Sequence, residues 1–158
     1  MVEPVRRWPV TPRIAVAGDA AALVEFNQAM ALETESKSLD HATLRTGVES
    51  VLQDPGHGFY VVADTGREIA GSLLVTWEWS DWRNGRFWWI QSVYVRPEHR
   101  HRGVYRALHE FVRDRARRTG GVVGLRLYVE RDNAVAQRAY AALGMNETAY
   151  RMYEEMLS

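Results

Sequence analysis

The chain has 158 residues, with 20 basic and 20 acidic side chains and no cysteine. This length suits one domain with a sizeable core, and the balanced charge excludes a general electrostatic field for nucleic acid or anionic lipid. The absence of cysteine excludes disulfides, thiolate metal sites and a cysteinyl covalent intermediate. Without a membrane-spanning apolar run or a leader segment, we expect a cytoplasmic protein.

The first third of the chain is predicted to contain an arm, one strand and two helices. Residues 1–11 contain prolines and are interpreted as an irregular arm before a domain over residues 12–158. Polar and apolar side chains alternate over residues 13–17, as in a β-strand. The polar residues 33–38 are predicted to connect the two helices. Asp19 and Asp40 are the expected N-caps. The apolar positions expected to face inward are Leu23, Phe26 and Met30 in the first helix and Leu44, Val48, Val51 and Leu52 in the second.

Two hairpins are predicted next. Residues 59–63 and 69–79 alternate as strands around a turn at 64–67. The dipeptide Asn84-Gly85 is a strong two-residue turn signal. That turn would place Arg83 opposite Arg86.

A buried strand is then predicted to run into a helix through a basic loop. Residues 90–95 are largely apolar on both alternating faces, as in a central strand, and Pro97 ends the strand. Gly103 precedes a helix with apolar residues at helical spacing. The unpaired N–H groups and positive dipole end of such a helix favour a phosphate. A solvated basic loop is the alternative interpretation.

The last third is predicted to alternate strand, helix and strand. Residues 122–129 are apolar on both faces, Asp132 or Asn133 would cap a helix that ends at Gly144, and residues 148–157 would form a final strand. The fold class is therefore α/β, with a mixed central sheet of about six to seven strands flanked by about four helices.

Two motifs resemble those of the GNAT superfamily of N-acetyltransferases. The family's phosphate loop reads Arg/Gln-x-x-Gly-x-Gly/Ala, and residues 100–105 fit it except that Tyr105 replaces the last small residue. The second motif is matched by residues 133–145, which read Asn-x-x-Ala-x-x-x-Tyr-x-x-x-Gly-Met. The resemblance covers most of the chain and implies that acetyl-CoA is the co-substrate. Because Tyr105 departs from the pattern, either its side chain points away from the phosphates or the phosphates bind in a slightly different position.

The resemblance also implies where acetyl-CoA binds. The central strand would splay from the strand that follows, and the pantetheine arm would lie in the gap and pair with the strand backbone. The implied contacts are Val93, Tyr94 and Val95 for the arm, Arg100, His101, Arg102, Gly103, Val104, Tyr105 and Arg106 for the pyrophosphate, and Asn133 and Tyr140 from the second motif.

Acetyl transfer to an amine calls for an acid, a base and an acceptor site. Tyr140 is the expected general acid, because a phenol of pKa about 10 keeps its proton at neutral pH. Glu33 and Glu78 are the candidate bases, since Trp89 and Gln91 occupy the positions on the central strand where relatives often carry Glu or His. The acceptor site is expected to involve Glu33, Glu35, Trp79 and Trp82.

Several alternatives stay open at this level. The leading hypothesis is direct N-acetylation of a small molecule or protein amine, and the second is a non-catalytic acyl-CoA-binding or regulatory module. Binding of nucleic acid through the basic loop is a third, weaker hypothesis, because the charge is local and the total is neutral. The tryptophan-rich hairpin could also supply a homodimer interface. No metal is expected, because His99 and His101 lack the spacing of a metal motif and no carboxylate cluster accompanies them in the sequence.

Overall fold

The computed structural model describes residues 9–158, so most of the predicted arm, residues 1–8, lies outside the described residues. The chain forms two compact units, one ending at Leu127 and the other running from Tyr128 to Ser158. The first unit contains β1 Thr11–Ile14, α1 Ala20–Glu35, α2 His41–Gln53, β2 Phe59–Asp64, β3 Ile69–Ser80, β4 Gly85–Val95, α3 Val104–Thr119 and β5 Val122–Arg126. The second contains α4 Ala134–Ala142.

Five strands form one mixed sheet in the order β1-β2-β3-β4-β5. The first four are antiparallel neighbours, whereas β5 runs parallel to β4. The mixed α/β fold is therefore confirmed, but the predicted six to seven strands are not. No strand forms at residues 148–157 of the described chain, where only a short alternation favoured one and two adjacent glutamates interrupt it.

The pairing of β4 with β5 covers only the first half of β4. It begins at Arg86↔Val122 and ends at Trp89↔Arg126. Among the described residues, β4 continues from Ile90 to Val95 without a β5 partner. The pairing ends because β5 itself ends at Arg126.

The sheet separates two apolar clusters. On one side, Leu73, Val75 and Ile90 pack with Leu108 and Val112 of α3, and all five are buried. On the other side, the buried residues are Leu23 and Val24 of α1, Val48 of α2, and Tyr60 and Val62 of β2. The helical spacing of the apolar residues thus predicted the inward faces of α1, α2 and α3 correctly.

The turn between β3 and β4 differs from the prediction. Ser80 pairs with Gly85, so the loop has four residues and Arg86 lies opposite Trp79 rather than Arg83. A Cβ on Gly85 would stand 2.5 Å from Val123 Cγ1. The glycine is therefore needed because β5 approaches closely, and it does not serve as the second residue of a tight turn.

The two predicted N-caps have different outcomes. Asp40 accepts a hydrogen bond from the Thr43 N–H at 2.9 Å, as expected of a cap. Asp19 occupies the N-cap position of α1 but makes no side-chain cap bond. Its carboxylate instead accepts hydrogen bonds from Arg13 at 2.8 and 3.0 Å and from the Val16 N–H at 2.8 Å. The strand predicted at residues 13–17 lies at Thr11–Ile14.

Candidate functional site

The junction between β4 and α3 forms an open, N–H-rich end of a helix. Gly103 precedes the helix with φ of 78°, and a Cβ added there would meet no atom within 4 Å. The Ala107 N–H bonds the Gly103 carbonyl at 3.0 Å, so the preceding N–H groups of the first turn lie before the start of the helical ladder. Such a helix end attracts an anion, and the space over Gly103 is open.

Tyr105, the residue that departs from the family motif, leaves this helix end open. Its hydroxyl lies 2.9 Å from Nδ1 of His109, one turn further along α3, and the two rings meet edge-on with centroids 5.6 Å apart. The side chain therefore runs along the helix and does not cover its N-terminus. This agrees with the first of the two expected arrangements, in which Tyr105 points away from the phosphates.

Arg100 ties the loop to α1. Its Nε donates to the Val95 carbonyl at 2.9 Å, and its Nη2 donates to Glu33 Oε2 at 2.8 Å. The Tyr94 hydroxyl donates to the other Glu33 oxygen at 3.4 Å. Glu33 and Glu35 were predicted in a connection, but both lie in the last turn of α1, which runs on to Glu35. Sequence reasoning did not pair Glu33 with Arg100, because 67 residues separate them.

A bulge in β4 places Tyr94 on the α1 side of the sheet. Leu74 pairs with Gln91 and Ser72 with Tyr94, so Ser92 and Val93 stand opposite a single residue of β3. Ser92 has a left-handed φ of 51°. The shift turns the Tyr94 ring to Phe26 of α1, with centroids 5.1 Å apart. A bulge also leaves an extra backbone group outside the strand ladder, here beside the gap between β4 and β5.

Glu78 lies where β4 and β5 part. Its Oε1 accepts hydrogen bonds from Trp89 Nε1 at 2.9 Å and from Arg126 Nη1 at 2.8 Å. The hydrogen bond from the Trp89 indole N–H lowers the pKa of Glu78 below its usual range, and the hydrogen bond from Arg126 makes a smaller contribution in the same direction. A lowered pKa makes a carboxylate a weaker general base.

Trp79 and Trp82 lie at the far end of the hairpin. They are 60% and 84% exposed. Trp79 pairs with Arg86, and the nine steps of β4 from Arg86 to Val95 span about 30 Å at ~3.4 Å each. The structure therefore does not bring these tryptophans together with Glu33. Glu35 is separate from both groups and pairs with Lys37 at 3.8 Å.

Two other basic residues near this junction, Arg106 of α3 and His99 of the loop, have partners of their own. Arg106 pairs with Glu110 at 2.9 Å. His99 Nε2 lies 2.7 Å from Glu68 Oε1, and ligand atoms of Glu68, Glu98 and His99 lie within 4.8 Å of one another. The sequence indicated no carboxylate cluster near His99, because Glu68 comes from the turn just before β3. The hydrogen bond with His99 lowers the pKa of Glu68, and the positive charge of Arg96 lowers it to a smaller extent.

The second unit contains the other motif. Asn133 caps α4, accepting the Ala136 N–H at 3.1 Å, as predicted. Tyr140 follows two turns later in the same helix. Burial raises the pKa of its phenol above the usual value, so the hydroxyl keeps its proton at neutral pH. Among residues 9–158, no helix combines the length and apolar content that crossing a bilayer requires.

Comparisons with known proteins agree with this architecture. The model of the acetyltransferase (GNAT) family matches residues 22–145. A solved structure of a possible acetyltransferase from Clostridium difficile 630 is 39% identical, with a TM-score of 0.87 over 94% of this chain and 98% of that one. AAC(6')-Iy in complex with the bisubstrate analogue CoA-S-monomethyl-acetylneamine is 16% identical, with a TM-score of 0.74 over 95% and 99% of the two chains, and shares the fold. No curated protein sequence matches significantly.

Proposed function

The chain belongs to the GNAT acetyltransferase family, and we propose that it transfers an acetyl group from acetyl-CoA directly to a primary amine of a small molecule or protein. The observation that supports this most strongly is the β4–α3 junction. There an open left-handed glycine and the first N–H groups of α3 stand at the end of a strand whose second half has no β5 partner among the described residues.

In this proposal, the β4–α3 junction binds the donor. The N–H groups of the loop and first turn of α3 hold the pyrophosphate, and the backbone of residues 93–95 pairs with the pantetheine arm as an added strand would. Arg100 contributes positive charge while Glu33 and Val95 fix its position. The residues assigned to the donor are Val93, Tyr94, Val95, Arg100, His101, Arg102, Gly103, Val104, Tyr105, Arg106, Asn133 and Tyr140.

The chemistry is a direct displacement. The amine nitrogen attacks the thioester carbonyl carbon, so a C–N bond forms and the C–S bond breaks. Tyr140 gives its phenolic proton to the leaving sulfur, and the attacking nitrogen loses one proton to a base. An N–H at the β4 bulge is a candidate donor to the carbonyl oxygen. Either Glu33 or Glu78 is the proposed base and acts through water, because each is engaged in an ion pair.

The test measures release of CoA thiol with a panel of primary amines. Tyr140→Phe should lower kcat on the order of 10²-fold, since general acid catalysis contributes at least that much. Tyr150→Phe is the matched control, because that phenol is exposed in the same unit and has no assigned role. Tyr140→Phe turning over at the wild-type rate would remove Tyr140 as the acid.

A non-catalytic acyl-CoA-binding module is the second candidate function. It is favoured by Trp89 and Gln91, which occupy the central-strand positions where relatives often carry a base, and by the ion pairs of both candidate carboxylates. Saturable acetyl-CoA binding without turnover of any amine would support the module and exclude the transferase.

Trp79 and Trp82 are proposed to border the acceptor, because an exposed indole face attracts an alkyl ammonium. Replacing either with Ala should raise the KM for the amine. If the amine KM stays unchanged while the molecular mass in solution falls by half, the hairpin is a homodimer interface instead.

A further inference from the structure

Tyr105 and His109 form a side-chain pair along the first two turns of α3, beside the open end of the helix. The Tyr105 hydroxyl lies 2.9 Å from His109 Nδ1, and the two rings meet at an interplanar angle of 67°. His109 is fully buried, and Tyr105 is partly buried against the apolar cluster on the α3 side of the sheet. The proposed acetyl transfer makes no use of this buried imidazole.

The neighbours of the imidazole determine which of its nitrogens carries the proton. Arg113 Nη2 lies 3.2 Å from His109 Nε2, and because a guanidinium can only donate, Nε2 is the acceptor in this contact. Burial and, to a smaller extent, the positive charge of Arg113 lower the pKa of His109 to about 4, so the ring is neutral at pH 7 and its one proton is on Nδ1. His109 therefore donates a directed hydrogen bond to the Tyr105 oxygen.

This hydrogen bond holds the Tyr105 ring against a turn toward the start of the helix. The Cα–Cβ bonds of an α-helix tilt toward its N-terminus, and aromatic side chains adopt χ1 values that carry them the same way. Tyr105 is the second residue of α3, so a ring that turned in this direction would cover Gly103 and the first N–H groups. While Tyr105 is bonded to His109, the space over Gly103 is open.

We propose that His109 is a positioning residue for the donor site, which holds the Tyr105 ring away from the N-terminus of α3 and keeps that helix end open to a diphosphate. This inference rests on the proposed function, because it takes the diphosphate of the donor as the ligand of the helix end. It accounts for the position at which the phosphate loop departs from the family motif. A small residue there leaves the helix end open by itself, whereas a tyrosine requires a partner that holds its ring aside.

The size of the effect follows from the fraction of molecules in which the helix end is open. The apparent Kd equals the intrinsic Kd divided by the fraction of the protein that is competent to bind. If loss of the hydrogen bond leaves the ring over the helix end in about nine-tenths of the molecules, the Kd rises about tenfold. The rise should be the same for acetyl-CoA and for ADP, because the ring competes with the diphosphate that both ligands carry.

The test is calorimetric titration of acetyl-CoA and ADP into the full chain with substitutions at Tyr105. Tyr105→Phe removes only the hydroxyl that bonds His109 and leaves the ring, so it should weaken binding of both ligands by at least about threefold. Tyr105→Ala removes the ring as well and should bind both ligands at least about threefold more tightly than Tyr105→Phe does. If the tyrosine side chain instead contacted the ligand directly, Tyr105→Ala would bind no more tightly than Tyr105→Phe, because it removes more of the side chain.

Substitutions at His109 complete a double-mutant cycle. His109→Leu should raise the Kd about tenfold, but in the Tyr105→Ala background it should change the Kd by less than about twofold, because no ring remains to cover the helix end. His109→Asn keeps an amide N–H near the position of Nδ1 and should restore most of the affinity. If His109→Leu does not fold, the two Tyr105 variants decide the matter.

A buried control and a spectroscopic measurement separate positioning from stability. Val112→Ala removes methyl groups from a fully buried residue of the same helix, two turns beyond Tyr105, and should lower Tm without changing the Kd of acetyl-CoA. In nitrogen NMR spectra of the free protein, His109 should be neutral with its proton on Nδ1. A proton on Nε2 would contradict the hydrogen bond on which the inference depends.

The outcomes distinguish this inference from the proposed function. Equal weakening by His109→Leu with and without the Tyr105 ring, or Tyr105→Ala binding no more tightly than Tyr105→Phe, would overturn the positioning role and leave the transferase intact. Failure of wild-type protein to bind either acetyl-CoA or ADP would overturn the proposed function, and the positioning role with it.

Discussion

Gly103→Ala should weaken acetyl-CoA binding by more than its cost to the fold explains. Gly103 has a φ of 78° and open space where a Cβ would be. An alanine in the left-handed region costs about 1–2 kcal/mol, and in a domain of this size each kcal/mol lowers Tm by about 2–4 °C. The new methyl would occupy open space at the start of α3, where the pyrophosphate is proposed to bind.

The effect on the ligand can be separated from the effect on the fold by its size. Acetyl-CoA at one hundred times its Kd stabilises wild-type protein by about 2.7 kcal/mol. If the methyl weakens binding tenfold, the same concentration gives only about 1.4 kcal/mol. The rise in Tm that acetyl-CoA causes should therefore fall to about half, in addition to the lower Tm of the free variant.

Gly66→Ala is the matched control. Gly66 has a φ of 87° in the turn between β2 and β3, also with no atom within 4 Å of the place a Cβ would occupy, so the substitution imposes similar backbone strain away from the α3 N-terminus. Thermal unfolding with and without acetyl-CoA should show a full ligand-induced rise for Gly66→Ala. The reasoning is refuted if Gly103→Ala also keeps the full rise, or if both variants lose it equally.

Three further predictions concern the fold. Burial and, to a smaller extent, the positive charge of Arg113 lower the pKa of His109 to about 4. The unfolded residue titrates near ~6.5. The stabilisation that depends on neutral His109, about 3 kcal/mol in all, is therefore present above pH ~6.5 and lost as the pH falls through 4. In urea unfolding, the free energy of unfolding of His109→Leu should depend less on pH over that range than that of wild-type protein. The Arg13 hydrogen bond holds the pKa of Asp19 below its usual range, so its stabilisation is present above the unfolded pKa of ~3.9 and lost as the pH falls through the folded value. Asp19→Asn should lower the free energy of unfolding by about 2 kcal/mol at pH 7, and an equal deficit at pH 2 would contradict this. Leu108→Ala should cost about 3 kcal/mol, because Leu108 is fully buried, while leaving the Kd of acetyl-CoA unchanged in calorimetry; a loss below 1 kcal/mol would contradict the packing of α3.

The local parts of the fold could be predicted because their signals are local. Gly103 and the apolar spacing after it place the start and the inward face of α3, and Asp40 caps α2 through a residue three positions away. The two-residue turn at Asn84-Gly85 was wrong for a non-local reason. Gly85 accommodates the approach of Val123 from β5, which no pattern near residue 85 reveals.

The sequence predicts which loop forms the candidate site but not the side-chain contacts around it. The motif at residues 100–105 indicated a phosphate site, and the His109 contact shows where the unusual Tyr105 side chain goes. The pairing of Glu33 with Arg100 joins residues far apart in sequence. The convergence of Glu78, Trp89 and Arg126 depends on the register of three strands, which alternation alone does not determine.

The most direct test of the central claim is calorimetric titration of acetyl-CoA into wild-type protein, with acetate and ADP as controls. We predict saturable binding of one acetyl-CoA per chain, with weaker binding of ADP and none of acetate. Absence of binding at millimolar acetyl-CoA would contradict the claim, because the β4–α3 junction would then be only a basic turn.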